Sequence, residues 1–275
     1  MSDVPNITLN NGVEIPQLGF GVFQIAPEDT ADAVSAALEV GYRHIDTAQM
    51  YGNEREVGEG VRASGLPRDE VFVTSKLNND AHDPAGVAAA LDRTLDALGF
   101  DVLDLFLVHW PMPDVGDFVE TWRAMCELDP GRVRAVGVSN FEPHHLQRLL
   151  DAGLTVPAVN QVEVHPYFRQ DAVRAFDAEH GIVTEAWSPI AKGRVVHDPT
   201  IVEIADRTGR TPAQVTLRWH LQRGDVVFPK SSSPARMAEN FAVFGWELSP
   251  EDMSAIDRLD RDDRLGPHPD TFHRM

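Results

Sequence analysis

Apolar residues gather in eight short runs that lack strict polar alternation: "LGFGVF" (18–23), "YRHIDTA" (42–48), "VFVTSKL" (71–77), "VLDLFLVHW" (102–110), "VRAVGVSN" (133–140), "AVNQVEV" (158–164), "IVTEAW" (182–187) and "DVVFPK" (225–230). Segments of helical period separate them. Val87, Leu91, Leu95 and Leu98 follow Pro84, and Leu146, Leu149 and Leu150 follow Pro143. "TPAQVTLRWHLQRG" carries both ends of a helix, with Thr211 as N-cap, Pro212 in the first turn, Gln214 completing a capping box and Gly224 past the last turn. Gly41 and Gly153 end earlier helices in the same way, and Ser233-Pro234 opens the last. Strands buried on both faces, each followed by a helix, predict a parallel sheet covered by helices, and eight such units close most simply into a (β/α)8 TIM barrel. Ahead of the first unit, "ITLNNGVEI" has strand-like flanks around Asn11-Gly12, which predicts a type I′ hairpin over the barrel bottom. No change of composition divides the chain. Residues 1–275 are read as one barrel domain, with a hairpin segment over 1–17 and an aperiodic tail or active-site flap over 260–275.

Charge narrows the choice of partner. With 43 acidic residues against 24 Lys and Arg, the net charge of −19 repels phosphate backbones and anionic lipid, so neither nucleic acid nor membrane is an expected partner. Any anionic ligand must then be held by a few basic residues placed locally. The N-terminus shows no basic stretch followed by an apolar one, and nowhere do 18 apolar residues run together, which fits a soluble cytoplasmic protein. The single cysteine, Cys126 in "WRAMCELD", reads as a core-packing residue and allows no internal disulfide.

In a (β/α)8 barrel the C-terminal strand ends converge on one mouth, where active sites lie. Asp46 ends the second strand, Lys76 the third, His109 the fourth, Ser139 and Asn140 the fifth, Gln161 the sixth and Lys230 the eighth, and Trp187 closes the seventh. Tyr51, in the loop after the second strand, is placed to sit beside Lys76. An adjacent ammonium stabilises phenolate and should lower the tyrosine pKa from ~10 toward working pH, making Tyr51 a general acid. A buried ammonium needs an acceptor to keep its charge, and Asp46 on the adjacent strand supplies one. His109 is placed to hydrogen-bond and orient a substrate oxygen.

The motifs "LGFGVF", "HIDTAQMYGNEREVG", "TSKL", "VHWP", "GVSNF", "VNQVEVHP" and "PKSSSPARMAENF" together resemble the aldo-keto reductase family, in the prokaryotic branch that includes the 2,5-diketo-D-gluconate reductases. The resemblance runs through essentially the whole chain. It implies NADPH-dependent reduction of small-molecule aldehydes and ketones, with Asp46, Tyr51, Lys76 and His109 as a catalytic tetrad. On matching positions it implies that Ser139, Asn140 and Gln161 hold the carboxamide and that Trp187 stacks on the nicotinamide. Ser188, Ile190, Lys192 and Gly193 would run beside the pyrophosphate. Lys230, Ser231, Ser232 and Arg236 would hold the 2′-phosphate, with Glu239 and Asn240 near the adenine. Phe23, Asn78 and Trp110 would face the substrate of a monomeric enzyme. Lys230 and Arg236 beside a helix start also form, on chemistry alone, the local anion site that the acidic total requires.

The chain departs from many relatives at Asn78, where they often carry tryptophan; a carboxamide there favours smaller or more polar carbonyl compounds. The loops "PMPDVGD" and "SPIAKGRVVHDP" are short, so cofactor release is expected to be comparatively fast. Rival chemistries are weaker. No His-x-His pattern marks a metal site, His144 and His145 being expected to face different directions, and no metal is expected. A glycosidase would need Glu163 and Glu185, for which no environment raising a carboxyl pKa is evident. A non-catalytic nicotinamide-binding redox sensor or structural subunit is the alternative.

Overall fold

The computed structural model describes residues 4–273; residues 1–3 and 274–275 of the two predicted end segments lie outside the described residues. The chain opens with a hairpin, β1 (Asn6–Thr8) and β2 (Glu14–Pro16). Eight parallel strands follow: β3 (Phe20–Gly21), β4 (His44–Asp46), β5 (Phe72–Leu77), β6 (Leu103–Val108), β7 (Val133–Ser139), β8 (Val159–Glu163), β9 (Val183–Trp187) and β10 (Val226–Val227). Each lies beside its sequence neighbour, and the ring is completed where Gly19 N–H donates to Val227 O (2.8 Å) and Val227 N–H donates to Gln17 O (3.1 Å). The (β/α)8 barrel read from the apolar runs is therefore the observed fold. All six residues of β5 and all six of β6 are buried, which is why those runs carry no alternation.

The helices are α1 (Pro27–Val40), α2 (Glu54–Ala63), α3 (Val87–Leu98), α4 (Phe118–Cys126), α5 (Pro143–Asp151), α6 (Asp171–Glu179), α7 (Pro199–Thr208), α8 (Pro212–Gln222), α9 (Pro234–Phe241) and α10 (Pro250–Asp257). α3 buries Val87, Ala90, Leu91, Thr94, Leu95 and Leu98 on one face and ends at Gly99 in the left-handed region. The capping box of α8 forms as expected between Thr211 and Gln214. α9 is not the last helix: α10 follows it, started by Ser249, Pro250 and Asp252 in a capping box of its own. Its periodicity is faint because Ile256 is its one buried apolar residue. Cys126 is a free thiol, partly buried against the outer core.

The hairpin plugs the barrel bottom. Leu9 and Ile15 pack with Phe72, Leu105, Leu107, Val159 and Val226, while Asn10 and Asn11 donate to Pro157 O and Arg134 O, each at 3.0 Å. Its turn is not the predicted type I′. Leu9 N–H pairs with Val13 O at 2.8 Å, leaving a three-residue loop in which Gly12 alone takes positive φ (+84°). Asn11 does not enter the left-handed region because the extra residue lets glycine supply the needed twist. With the bottom filled by apolar side chains, polar chemistry is confined to the opposite end.

Candidate active site

The stretch after β4 is built to hold Tyr51. A short 3-10 turn, Gln49–Tyr51, ends at Gly52 in the left-handed region (φ +68°). Asn53 is buried, accepting from Thr47 Oγ1 (3.0 Å) and donating to Val22 O (3.2 Å). Gln49 pins the same turn to α3 and to the strand end beyond Lys76, donating to Ala90 O (2.8 Å) and accepting from Asn78 N–H (2.8 Å).

Lys76 is wholly buried. Its ammonium donates to both Asp46 oxygens (2.8 and 2.9 Å) and to Thr47 O (2.8 Å), and it lies 5.0 Å from the centroid of the Tyr51 ring. Burial opposes its charge, but Asp46 and the Tyr51 hydroxyl outweigh that, and the Lys76 pKa is raised. Tyr51 departs from the sequence expectation: its pKa is raised, because burial exceeds the opposing pull of Lys76. The group is a phenol at neutral pH, with a cation beside it that can receive phenolate charge. The His109 ring lies 5.9 Å from the Tyr51 ring, and burial, Lys76 and His82 hold its pKa well below 6.5. It is a neutral imidazole whose Nδ1 is buried without a partner among the described residues.

A second network crosses the mouth. Trp187 Nε1 donates to Asn140 Oδ1 (2.9 Å), Asn140 Nδ2 donates to His109 O and Ser139 Oγ (3.0 Å each), and Ser139 Oγ donates to Gln161 O (2.9 Å). Asn140 reaches this position with φ +63°. Gln161 Nε2 joins the two networks by donating to Asp46 Oδ1 and Glu185 Oε2, each at 2.9 Å.

Glu185 corrects the sequence reading. It is wholly buried, its Oε1 has no partner among the described residues, and burial with the nearby Asp46 charge pushes its pKa up to about 8. The neighbour that does this lies on β4, across the barrel, which sequence spacing does not reveal. The folded pKa stands above the ordinary value of 4.5, so the stability associated with Glu185 is full below about pH 4.5 and is lost as pH rises to about 8. Glu185→Gln should therefore gain stability over wild type across that window, by at most about 1.4 kcal/mol per pH unit, and gain nothing further above it. Urea denaturation over a pH series checks this; a constant difference between the two proteins would mean that Glu185 is ionised throughout.

Beyond the mouth, a cavity of about 410 Å³ brings together Ile190, Gly193, Lys230, Ser231, Ser232, Arg236, Glu239 and Asn240, all named as candidates for the cofactor's phosphate and adenine end. Lys230 and Arg236 are exposed cations with no carboxylate partner among the described residues. Val196, Thr211, Pro212 and Ala213 also line it. Sequence reasoning gave Thr211 and Pro212 only a capping role, although a helix start is itself an anion-binding signal. Ser188 and Lys192 do not line this cavity; both sit in the loop after β9 with positive φ (52° and 54°).

Of the substrate candidates, Phe23 is 52% exposed and packs on Tyr51 at 5.0 Å between ring centroids. Trp110 lies 4.3 Å from Phe272 of the tail. Asn78 donates to Asp80 (3.0 Å), while its Oδ1 is buried with no partner among the described residues. The tail packs on residues of the mouth, Phe272 against Trp110 and Gly266 against Trp187, and it overturns the expectation that His144 and His145 diverge. Their rings lie 4.0 Å apart, and both Nε2 atoms reach Asp270 Oδ1 (2.9 and 3.2 Å). His145 Nδ1 accepts from Glu142 N–H at 3.1 Å, which places the proton on Nε2 and leaves no lone pair there for a metal ion. The trio acts as a docking contact for the tail.

The aldo/keto reductase family model matches residues 17–261. The chain belongs to the aldo/keto reductase family. This family member is 50% identical over 270 residues to an aldo-keto reductase of Mycolicibacterium smegmatis, covering 98% of each chain. It is 45% identical over 275 residues to the methylglyoxal reductase DkgA of Escherichia coli K12, covering 99% of each. The solved structure of Gox0644 superposes with a TM-score of 0.95 at 47% identity, covering 98% of this chain and 99% of that one. A mutant of Gox0644 in complex with NADPH superposes at 0.94 with 46% identity, over the same shares of the two chains.

Proposed function

We propose that this reductase converts small aldehydes and ketones to alcohols with NADPH, Tyr51 serving as the proton donor. The observation that carries the reading is the buried Lys76 ammonium, fixed by both oxygens of Asp46 and directed at the Tyr51 phenol beside a neutral His109. When bound, the nicotinamide supplies the hydride. Tyr51 gives its phenolic proton to the carbonyl oxygen, and Lys76 stabilises the phenolate that remains. Asp46 acts through Lys76 by holding its charge and direction. His109, neutral, orients the carbonyl oxygen toward the phenol. Trp187, tethered through Asn140, offers a flat face for the ring, with Ser139, Asn140 and Gln161 as polar groups for its carboxamide. Residues 188–193 run toward the pyrophosphate. The 410 Å³ cavity would take the 2′-phosphate and adenine, with Lys230 and Arg236, which have no carboxylate partner among the described residues, to hold the phosphate in an otherwise acidic protein. Relatives named methylglyoxal reductase and the polar Asn78 both support a small, polar dicarbonyl substrate, bounded by Phe23 and Trp110.

Arg236→Ala tests the cofactor end. A guanidinium offers the phosphate a planar fork, and losing a charge-assisted hydrogen bond of about 1.5 to 3 kcal/mol weakens NADPH roughly ten- to a hundredfold. NADH, which lacks the phosphate, should change little, and high salt should narrow the wild-type preference. Dissociation constants from quenching of tryptophan fluorescence measure both. Equal losses for the two cofactors would remove the 2′-phosphate from this cavity.

A further inference from the structure

The carboxylate of Glu163, at the end of β8, takes no part in the proton relay, yet it is buried at 1% exposure and receives three donors. His165 Nε2 meets Oε1 at 2.8 Å, Leu265 N–H donates to Oε1 at 2.7 Å, and Gly266 N–H donates to Oε2 at 2.8 Å. The last two belong to the tail, so consecutive backbone amides of the flap grip one buried carboxylate. A Cβ on Gly266 would fall 2.5 Å from the Trp187 indole and 2.9 Å from Glu163 Oε2, so the tail backbone lies directly against the proposed ring-stacking residue. The flap is held elsewhere too, by Arg264 with the half-buried Glu142 (2.7 Å), by Arg194 with Asp263 (2.7 Å), by Asp270 with His144 and the buried His145, and by Asp263 N–H donating to Tyr167 O (3.0 Å), but only the Glu163 contacts grip the residues that lie against Trp187. Ion pairs near solvent add little, whereas a desolvated carboxylate deprived of its donors, or amides deprived of their acceptor, cost heavily. Glu163 therefore sets how closely the flap approaches Trp187, and Phe272, seated on Trp110, follows.

We infer that Glu163 is a positioning residue that clamps the C-terminal flap over the barrel mouth through Leu265 and Gly266, and that this clamp makes the site selective for short carbonyl compounds. The selectivity half rests on the proposed function. A loosened flap loses contact with a small substrate and opens space for a bulky one, without touching the proton relay.

The test uses the full chain as wild type, Glu163→Gln and Gly266→Ala. The glutamine keeps the shape but can accept at only one atom; the alanine pushes the flap off from its own side with Glu163 intact. In both variants, deuterium exchange of the peptide containing Leu265 and Gly266 should accelerate about tenfold or more, while the Lys230 to Asn240 region is unchanged. The ratio of kcat/KM for methylglyoxal over benzaldehyde should fall about tenfold, mainly through KM for methylglyoxal. Unchanged exchange in both variants would overturn the clamp. Faster exchange with a ratio within about twofold of wild type would overturn the role in selectivity. A wild-type protein that turns over neither aldehyde would instead defeat the proposed reduction itself, a failure recognisable because the exchange difference would remain.

Discussion

Tyr51→Phe is expected to keep its affinity for NADPH and to lose carbonyl reduction by a factor on the order of 10² to 10⁴, the usual contribution of a positioned general acid. The change removes one hydroxyl and little volume, and the ring retains its contacts with Phe23 and His109. Among the described residues no other hydroxyl is tied to the Lys76 ammonium, whose remaining partners there are the Asp46 carboxylate and Thr47 O. Single-turnover kinetics with preformed cofactor complex would separate this loss from any change in binding. A variant that kept half the wild-type rate would make Tyr51 a wall of the pocket.

Lys76→Met should reduce the rate to a similar degree, on the order of 10² or more, while Asp46→Asn should be milder. The lysine acts on the phenol directly; the aspartate acts through the lysine. Removing Lys76 also leaves Asp46 buried at 4% exposure without its counter-ion, which costs about 3 to 5 kcal/mol by comparison with other broken buried pairs. Asp46→Asn leaves the ammonium with Thr47 O and an amide oxygen, and the tyrosine limb of the pH–rate profile should move. Thermal melts alongside the kinetics separate misfolding from lost chemistry. An unmoved limb in Asp46→Asn would detach the aspartate from the relay.

The barrel was legible because its strands, β5 and β6 wholly buried among them, leave short apolar runs without strict alternation, and because Thr211, Gln214, Gly41 and Gly153 mark helix ends by local chemistry alone. The gathering of Asp46, Lys76 and His109 at the mouth was legible for a related reason: a polar residue at or near the end of an apolar strand stands out against its neighbours, and Tyr51 follows in the next loop. What stayed hidden depends on distance across the fold. The upward shift of Tyr51 comes from burial that no spacing reports, and that of Glu185 from burial and from Asp46 on a strand three places away around the ring. Glu163 offered only half of a possible carboxylate pair until the tail, without periodicity of its own, proved to set Leu265 and Gly266 on it. The three-residue hairpin loop shows the same limit at short range, since Asn-Gly permits two turn geometries and the flanking register chooses between them.

The most direct test of the central claim is the oxidation of NADPH by the wild-type protein, followed with a panel of aldehydes and ketones that includes methylglyoxal, together with identification of the alcohol formed. Stoichiometric loss of NADPH and appearance of alcohol, fastest with small polar carbonyls and absent in Tyr51→Phe, is the predicted result. Tight binding of NADPH with no oxidation by any member of the panel would contradict it and leave a nicotinamide-binding sensor or structural subunit in its place.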